Sequence, residues 1–465
     1  MIAELSERRI DARLILSIIA AGIMSFSGIV VETAMNVTFP TLMHEFNINT
    51  NLVQWITTGY LLVLALIIPA SSYLKKNFTN KTLFITAILF FIGGTILAAC
   101  TPVFSLLLFS RLLQGIGTGI ALPLMFNIIL EQVPAKQLGF MIGLASLITA
   151  MAPAVGPSLG GLIVSLFGWR MIFVALLPFL LFSLLAGSFS IRQVTKIVKT
   201  PFYWFDYSLM AVSFISFILA ISLPAQHGWL SFPVLFLLAV SLITLTVFCR
   251  QSLKNAEPLL HVNVLSNKAF TCSLLSILSL QFICLALGFL LPNYAQLVRN
   301  EAAFYAGIIL LPGCILGALL APVSGKILDR FGPRRPIITG NILMLLSCLC
   351  LYHYYAQVSS FTTAMFYILF AVGQSSSVGN LMAYGLQQLP SQVKADGNAV
   401  INTLQQLAGA AGTAVITSIV ASAQLAALQN LPAATQYGSG QGFFLLTILA
   451  ILMLCSTLLA LHKHK

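Results

Sequence analysis

Fourteen apolar runs, each long enough to cross a bilayer and each divided from the next by a short polar turn, constrain this chain more than any other feature. A spanning helix needs about 20 mostly apolar residues. Breaks at charges, Pro/Gly clusters and polar runs place the spans near 14–39, 51–74, 82–101, 103–130, 137–165, 169–190, 206–224, 231–250, 269–297, 303–326, 336–355, 360–386, 396–425 and 441–461. The chain is 59% hydrophobic and only 7% charged, where a soluble domain carries about 25% charged residues. The expected fold class is therefore an all-α integral membrane protein whose main solvent is the lipid bilayer.

A net charge of +12 raises the possibility of a nucleic-acid partner. The basic residues form no face, however; they punctuate the gaps between apolar runs, so no nucleic acid is expected. With the N-terminus inside, 20 of the 23 Lys and Arg fall in cytoplasmic connections. Arg299 alone falls in an outer loop, Arg170 sits at an outer edge, and Arg111 lies within a span. That asymmetry is the positive-inside rule. It predicts a multi-pass protein of a bacterial plasma membrane with both termini cytoplasmic: a segment 1–13 at one end and a tail 462–465 at the other. The opening MIAELSERRIDAR reads as a retained segment, because no small-residue cleavage pattern follows a short apolar core.

Most of the eight Cys, including Cys100, Cys272, Cys284, Cys314, Cys348, Cys350 and Cys455, sit inside the runs without metal spacing. They read as small buried residues, with no metal and no disulfide framework. No GxxxxGK phosphate loop occurs, so no cofactor is expected and an ion gradient is the expected driving force.

The connection after the tenth span, Gly325-Lys326-Ile327-Leu328-Asp329-Arg330-Phe331-Gly332-Pro333-Arg334-Arg335, is a short charged turn with glycines at both ends of its core. The connection after the second span, from Ser72 to Thr82, has the same length and place. Two such loops eight spans apart predict two six-helix halves, 14–190 and 269–461, with two inserted spans at 206–250. Secondary transporters are commonly built from such repeats, with the substrate site near mid-membrane at the interface.

The full loop resembles the signature loop of the major facilitator superfamily. Other stretches resemble its fourteen-helix drug:proton antiporter branch, the EmrB/QacA type. They are Val31-Glu32-Thr33-Ala34-Met35-Asn36-Val37-Thr38-Phe39-Pro40 in the first span and Arg111-Leu112-Leu113-Gln114-Gly115-Ile116-Gly117-Thr118-Gly119 in the fourth. Ala152 to Gly161, in the fifth, resembles the antiporter motif, and Gly168-Trp169-Arg170 and Glu257-Pro258-Leu259-Leu260 fit as well. Two departures matter: Lys76 stands where the first-half loop usually has Asp, and the thirteenth span has no carboxylate. The resemblance implies export of hydrophobic drugs and dyes against proton entry by alternating access; one deep carboxylate and none in the thirteenth span point to neutral, zwitterionic or monocationic substrates, and a monomer is expected. The alternative is a proton-coupled carrier of one polar metabolite, which would want several cavity charges. An enzyme or receptor would need a catalytic cluster or an extramembrane domain, and the sequence has neither.

Of the eleven acidic residues only Glu32 lies well inside a span. Placing a charge there costs about 2.5–3.5 kcal/mol on insertion scales, so it needs a purpose. Proton loading and release is the expected one. Arg111 lies roughly 12 Å below the outer end of its span, a depth Glu32 can share, and Gln114 follows on the same face. Amides inside lipid are costly unless they face the interior. On that ground, and with the aromatic wall a drug cavity wants, candidate substrate contacts are Met24, Phe26, Asn36, Gln54, Trp55, Tyr60, Gln114, Asn127, Phe282, Asn293, Tyr294, Gln374, Asn380, Asn402, Gln405 and Gln406. Small residues and prolines in the fifth span, chiefly Gly156, Pro157, Gly160 and Gly161, predict a moving helix contact that seals the outer half. Gly325, Asp329, Arg330, Gly332 and Arg334 are the conformational residues of the loop.

Overall fold

The computed structural model describes residues 11–194, 197, 201–255, 258–357, 359–390, 393–427 and 429–461. The segment before Asp11, the tail 462–465, Lys196, Lys199, Glu257 and the side chains of Lys136, Ala154 and Asp329 lie outside that description. Fourteen long helices follow in order. They are α1 (Ala12–Phe46), α2 (Trp55–Asn77), α3 (Asn80–Cys100), α4 (Phe104–Gln132), α5 (Ala135–Phe167), α6 (Arg170–Ser190) and α7 (Trp204–Ser222), then α8 (Phe232–Lys254), α9 (Lys268–Leu297), α10 (Leu311–Phe331), α11 (Arg334–Tyr354), α12 (Ser360–Gln387), α13 (Lys394–Ala426) and α14 (Leu431–Leu461). A short turn, Thr50–Val53, leads into α2, and Ala303–Ile308 leads into α10.

Local chemistry starts several of these helices. Asp11 Oδ1 accepts from the Leu14 amide at 2.8 Å, Thr79 from Thr82 at 3.0 Å, and Asn267 from Phe270 at 3.0 Å. Each cap satisfies one of the first-turn amides that have no helical acceptor. Large apolar side chains such as Phe189, Leu230 and Phe232 point outward, as a lipid-facing surface requires.

Several helices depart from the expected spans: the tenth is split into Ala303–Ile308 and Leu311–Phe331, the eighth runs on to Lys254, and the first and last are extended. The first runs on through Pro40 to Phe46 instead of ending near residue 39. Proline removes the amide that would bond the Asn36 carbonyl. Asn293 Nδ2, from α9, reaches that carbonyl at 3.5 Å, so the helix continues without an orphaned group. The last helix begins ten residues early, at Leu431, where a polar connection was expected up to 440. Asn430 accepts from the Ala433 amide at 3.2 Å, and the hydroxyls of Thr435 and Ser439 bond back to their own helix. Gly438 and Gly440 fit tightly against Val420 and the Tyr355 ring. The polarity of this stretch is absorbed internally.

The helices form two bundles, α1–α6 and α9–α14, with matching contacts. The pairs α1·α5, α1·α6, α2·α4, α3·α4 and α3·α6 recur as α9·α13, α9·α14, α10·α12, α11·α12 and α11·α14. The bundles meet along α2·α13, α5·α10 and α1·α9. The inserted pair α7–α8 lies over the α2·α13 seam through α7.

We call the end carrying the Lys/Arg-rich connections the basic face and the opposite end the far face. Several cross-bundle contacts lie in the far half. Thr50 Oγ1 donates to Gln424 Oε1 at 2.5 Å, Gln296 Nε2 to the Val37 carbonyl at 2.9 Å, and the Phe39 and Phe289 rings sit 5.7 Å apart. Gly161 meets the Ala303 carbonyl, and Gly307 meets that of Pro157, so closely that a Cβ at either would overlap it. Cys314 Sγ lies 3.8 Å from the Pro153 carbonyl, which Pro157 leaves without a helical donor. These contacts fasten the far half of the surface where the bundles meet.

Candidate functional site

At mid-depth the N-terminal bundle presents a buried polar cluster. Arg111 is fully buried. Its Nη1 donates to Gln114 Oε1 at 2.5 Å and its Nε to the Ile56 carbonyl at 3.3 Å. Its guanidinium lies 4.4 Å from the Tyr60 ring centroid. Gln114 Nε2 donates to Thr95 Oγ1 at 3.0 Å. Tyr60 reaches Thr118 Oγ1 at 2.8 Å and the Gly28 carbonyl at 3.0 Å. Contacts from α2 and α4, backed by Thr95 of α3 and the Gly28 carbonyl of α1, thus lock the guanidinium, while its Nη2 has no partner among the described residues.

Glu32 is 6% exposed and, among the described residues, has no hydrogen bond and no ion pair within 4.0 Å. Arg111 lies close enough for its charge to act on Glu32. One turn further along α1, Asn36 Oδ1 accepts from Thr57 at 2.8 Å. Opposite, the C-terminal bundle offers a row of side-chain contacts along α9: Gln405 Nε2 to Gln281 Oε1 at 3.1 Å, and Gln374 Nε2 to Cys284 Sγ at 3.1 Å. Among the described residues Asn402 bonds only its own helix at Asn398, and Gln406 is half-buried one turn on.

Other candidates sit elsewhere. Gln54 is buried at the far end, bonded to Asn51 at 3.0 Å, and Trp55 is half-buried next to it. Asn293 joins the bundles through the Asn36 carbonyl, and Tyr294 donates to the Tyr355 carbonyl at 2.5 Å near the far face. Asn127 lines a crevice near the basic face with Ser71 and Lys75. Met24 is fully buried, Phe26 is half-buried, and the backbone of half-buried Phe282 packs on Gly412. Asn380 holds Ser324 Oγ at 2.7 Å.

Among the conformational residues, Gly156 approaches Thr33 and Gly160 approaches Ala34, so α5 lies against α1 as well as α10. Gly332 adopts φ 75° and closes α10, a conformation glycine reaches without penalty. Arg330 and Arg335 flank the Phe331 ring at 5.3 and 5.0 Å, Arg334 opens α11, and nothing lies within 4 Å of a Cβ built on Gly325. In the first half, at the end of α2 beside the inverted loop position Lys76, Lys75 pairs with Glu131 at 2.8 Å. The sequence reading missed Cys284, because a lone thiol in an apolar run carries no signal; its neighbour Gln374 did.

Two bundles related by a helix-by-helix repeat, meeting over a buried carboxylate at mid-depth, define a secondary transporter. The Major Facilitator Superfamily profile matches residues 21–413, and the chain belongs to that superfamily. It is 35% identical over 414 residues to a lincomycin resistance protein LmrB of Listeria innocua, covering 89% of this chain and 88% of the relative. A Bacillus subtilis protein of the same name is 34% identical over 450 residues, covering 94% and 93%. A multidrug resistance protein B homolog of Mycobacterium tuberculosis is 26% identical, covering 88% and 78%. Among solved structures, a bacterial homolog of the lysosomal transporter Spinster superposes with a TM-score of 0.71 at 13% identity, covering 97% and 98%. An autoinhibited POT-family peptide transporter also reaches 0.71, at 15% identity, covering 98% of each chain.

Proposed function

We propose that this protein exports amphiphilic drugs and dyes, neutral, zwitterionic or monocationic, in exchange for protons by alternating access in a bacterial plasma membrane. The basic face is cytoplasmic on the positive-inside rule, and a cleft between the bundles receives substrate from that side, out of the cytoplasm or the inner leaflet. One observation carries the reading: Glu32 is buried at the meeting surface of the bundles and has no hydrogen-bond partner among the described residues. A structural carboxyl at that depth would be saturated with donors. An unsaturated one is free to exchange a proton for a substrate donor group. Linkage then makes proton and substrate each weaken the other's binding. The names of the LmrB and multidrug-resistance relatives support the substrate class. The monomer is the functional unit, since one chain supplies both bundles and the site between them.

The test is dye efflux in inverted vesicles with an imposed pH gradient. Glu32→Gln keeps the size and polarity of the side chain but cannot ionise. Gradient-driven efflux should be lost while the protein remains folded and inserted. Undiminished, gradient-dependent efflux by Glu32→Gln would refute the assignment.

A further inference from the structure

The C-terminal wall of the cleft contains a thiol at the height of Glu32. Helices α1 and α9 both run from the basic to the far face, and their register is fixed where they touch. A Cβ on Gly288 would lie 3.8 Å from Asn36 Nδ2. One helical turn back on each parallel helix stand Cys284 and Glu32. Cys284 is partly exposed, lies within electrostatic reach of Glu32, and is held from behind by Gln374 Nε2 at 3.1 Å. Past this level toward the far face the helices close, through Phe39 and Phe289. Cys284 and the unpartnered, buried Glu32 thus stand at the apex of the cleft.

We propose that Cys284 is a substrate-contacting residue: the apolar body of an amphiphile bearing one N–H donor packs on its thiol while the donor faces Glu32. A thiol suits this role because it is small, polarisable and a weak hydrogen-bond partner. It presents a soft surface to ring systems of different shape without demanding a polar group of its own. The proposal rests on the export reading above.

The probe is rhodamine 6G, a monocationic dye with N–H groups. Proteins retaining a single cysteine, Cys284 or Cys314, are reacted with N-ethylmaleimide in inverted vesicles, with dye binding followed by fluorescence polarisation in the same sample. At a dye concentration ten times its Kd, alkylation of Cys284 should slow about tenfold by mass action, and alkylation of Cys314, at the α5·α10 seam, should not. Unchanged Cys284 alkylation with bound dye overturns the proposal. Equal slowing at both thiols also overturns it, since the dye then acts by closing the cleft. Absence of dye binding in the unmodified protein removes the export reading itself. In the otherwise native chain, Cys284→Leu should raise the KM for dye while efflux keeps its dependence on the pH gradient, and Cys284→Ser should restore the KM. An unaltered KM in Cys284→Leu counts against the contact.

Discussion

Lys75 holds Glu131 at 2.8 Å near the basic face, with the Glu131 side chain only 6% exposed and Asn80 Nδ2 bonded to its other oxygen at 3.0 Å. This ion pair ties the end of α2 to the end of α4. Lys75→Met should destabilise the protein by about 1–3 kcal/mol, the cost of leaving a buried charged group short of a partner. A thermal melt in detergent should show a Tm lower by a few degrees. The swap of Lys75→Glu with Glu131→Lys should recover part of the loss, and a double-mutant cycle showing no coupling would remove the pair from the account.

Pro40→Ala separates stability from function. A proline inside a helix costs about 3 kcal/mol relative to alanine, so the variant should melt no lower than the native protein. Its new amide takes the Asn36 carbonyl that Asn293 now uses. The far closure loses a bond, and the efflux rate should fall although the protein is at least as stable. A native efflux rate would show that this carbonyl does not matter to closure.

How much of this was legible beforehand varies by element. The spans at Trp204–Ser222 and Arg334–Tyr354, each starting beside a charge, were placed within two residues, because a charge at a bilayer edge marks depth directly; Phe232–Lys254 and Leu311–Phe331 run four and five residues past the charges Arg250 and Lys326 that were read as their ends. Pro40 and the polar start of α14 misled for one reason: in lipid, packing and self-bonded hydroxyls decide whether a helix continues, and composition does not encode partners. Glu32 and Arg111 stood out by rarity alone. Tyr294 and Asn127 did not separate from the cavity residues, since an amide or phenol buried against a neighbouring carbonyl reads the same as one facing a cleft. The thiol of Cys284 was invisible until α9 was set against α1.

Gly307 leaves no room for a side chain beside the Pro157 carbonyl. Gly307→Val should force α10 away from α5 in the far half. Spin labels at the far ends of these helices should report a longer mean distance, and efflux should fall by about tenfold or more, as expected when one conformer is lost from the cycle. An unchanged distance would mean the seam tolerates bulk.

Tyr294→Phe removes the hydroxyl that reaches the Tyr355 carbonyl at 2.5 Å. The expected result is a loss of about 1 kcal/mol in stability with an unaltered dye profile. A narrowed profile would instead make Tyr294 a substrate contact.

Sidedness is checked by reporter fusions. A fusion after Lys254 should report cytoplasm and one after Asn430 the outside; the reverse pattern would invert the direction of transport.

The two equivalent seams are fastened by different chemistry. Along α5 and the Ala303–Ile308 turn leading into α10, glycines lie against backbone carbonyls, and the only side-chain bond described is a weak thiol contact. Along α2·α13, Thr50, Gln424 and Thr435 form a buried chain of bonds at 2.5 and 2.8 Å, with α7 packed over the seam. When the far side parts, the glycine seam can pivot while the amide seam must unfasten and carry α7–α8 with it. One edge behaves as a hinge and the other as a clasp. Because the clasp edge drags two extra helices through lipid, the speed of turnover should respond to bilayer thickness far more than substrate affinity does.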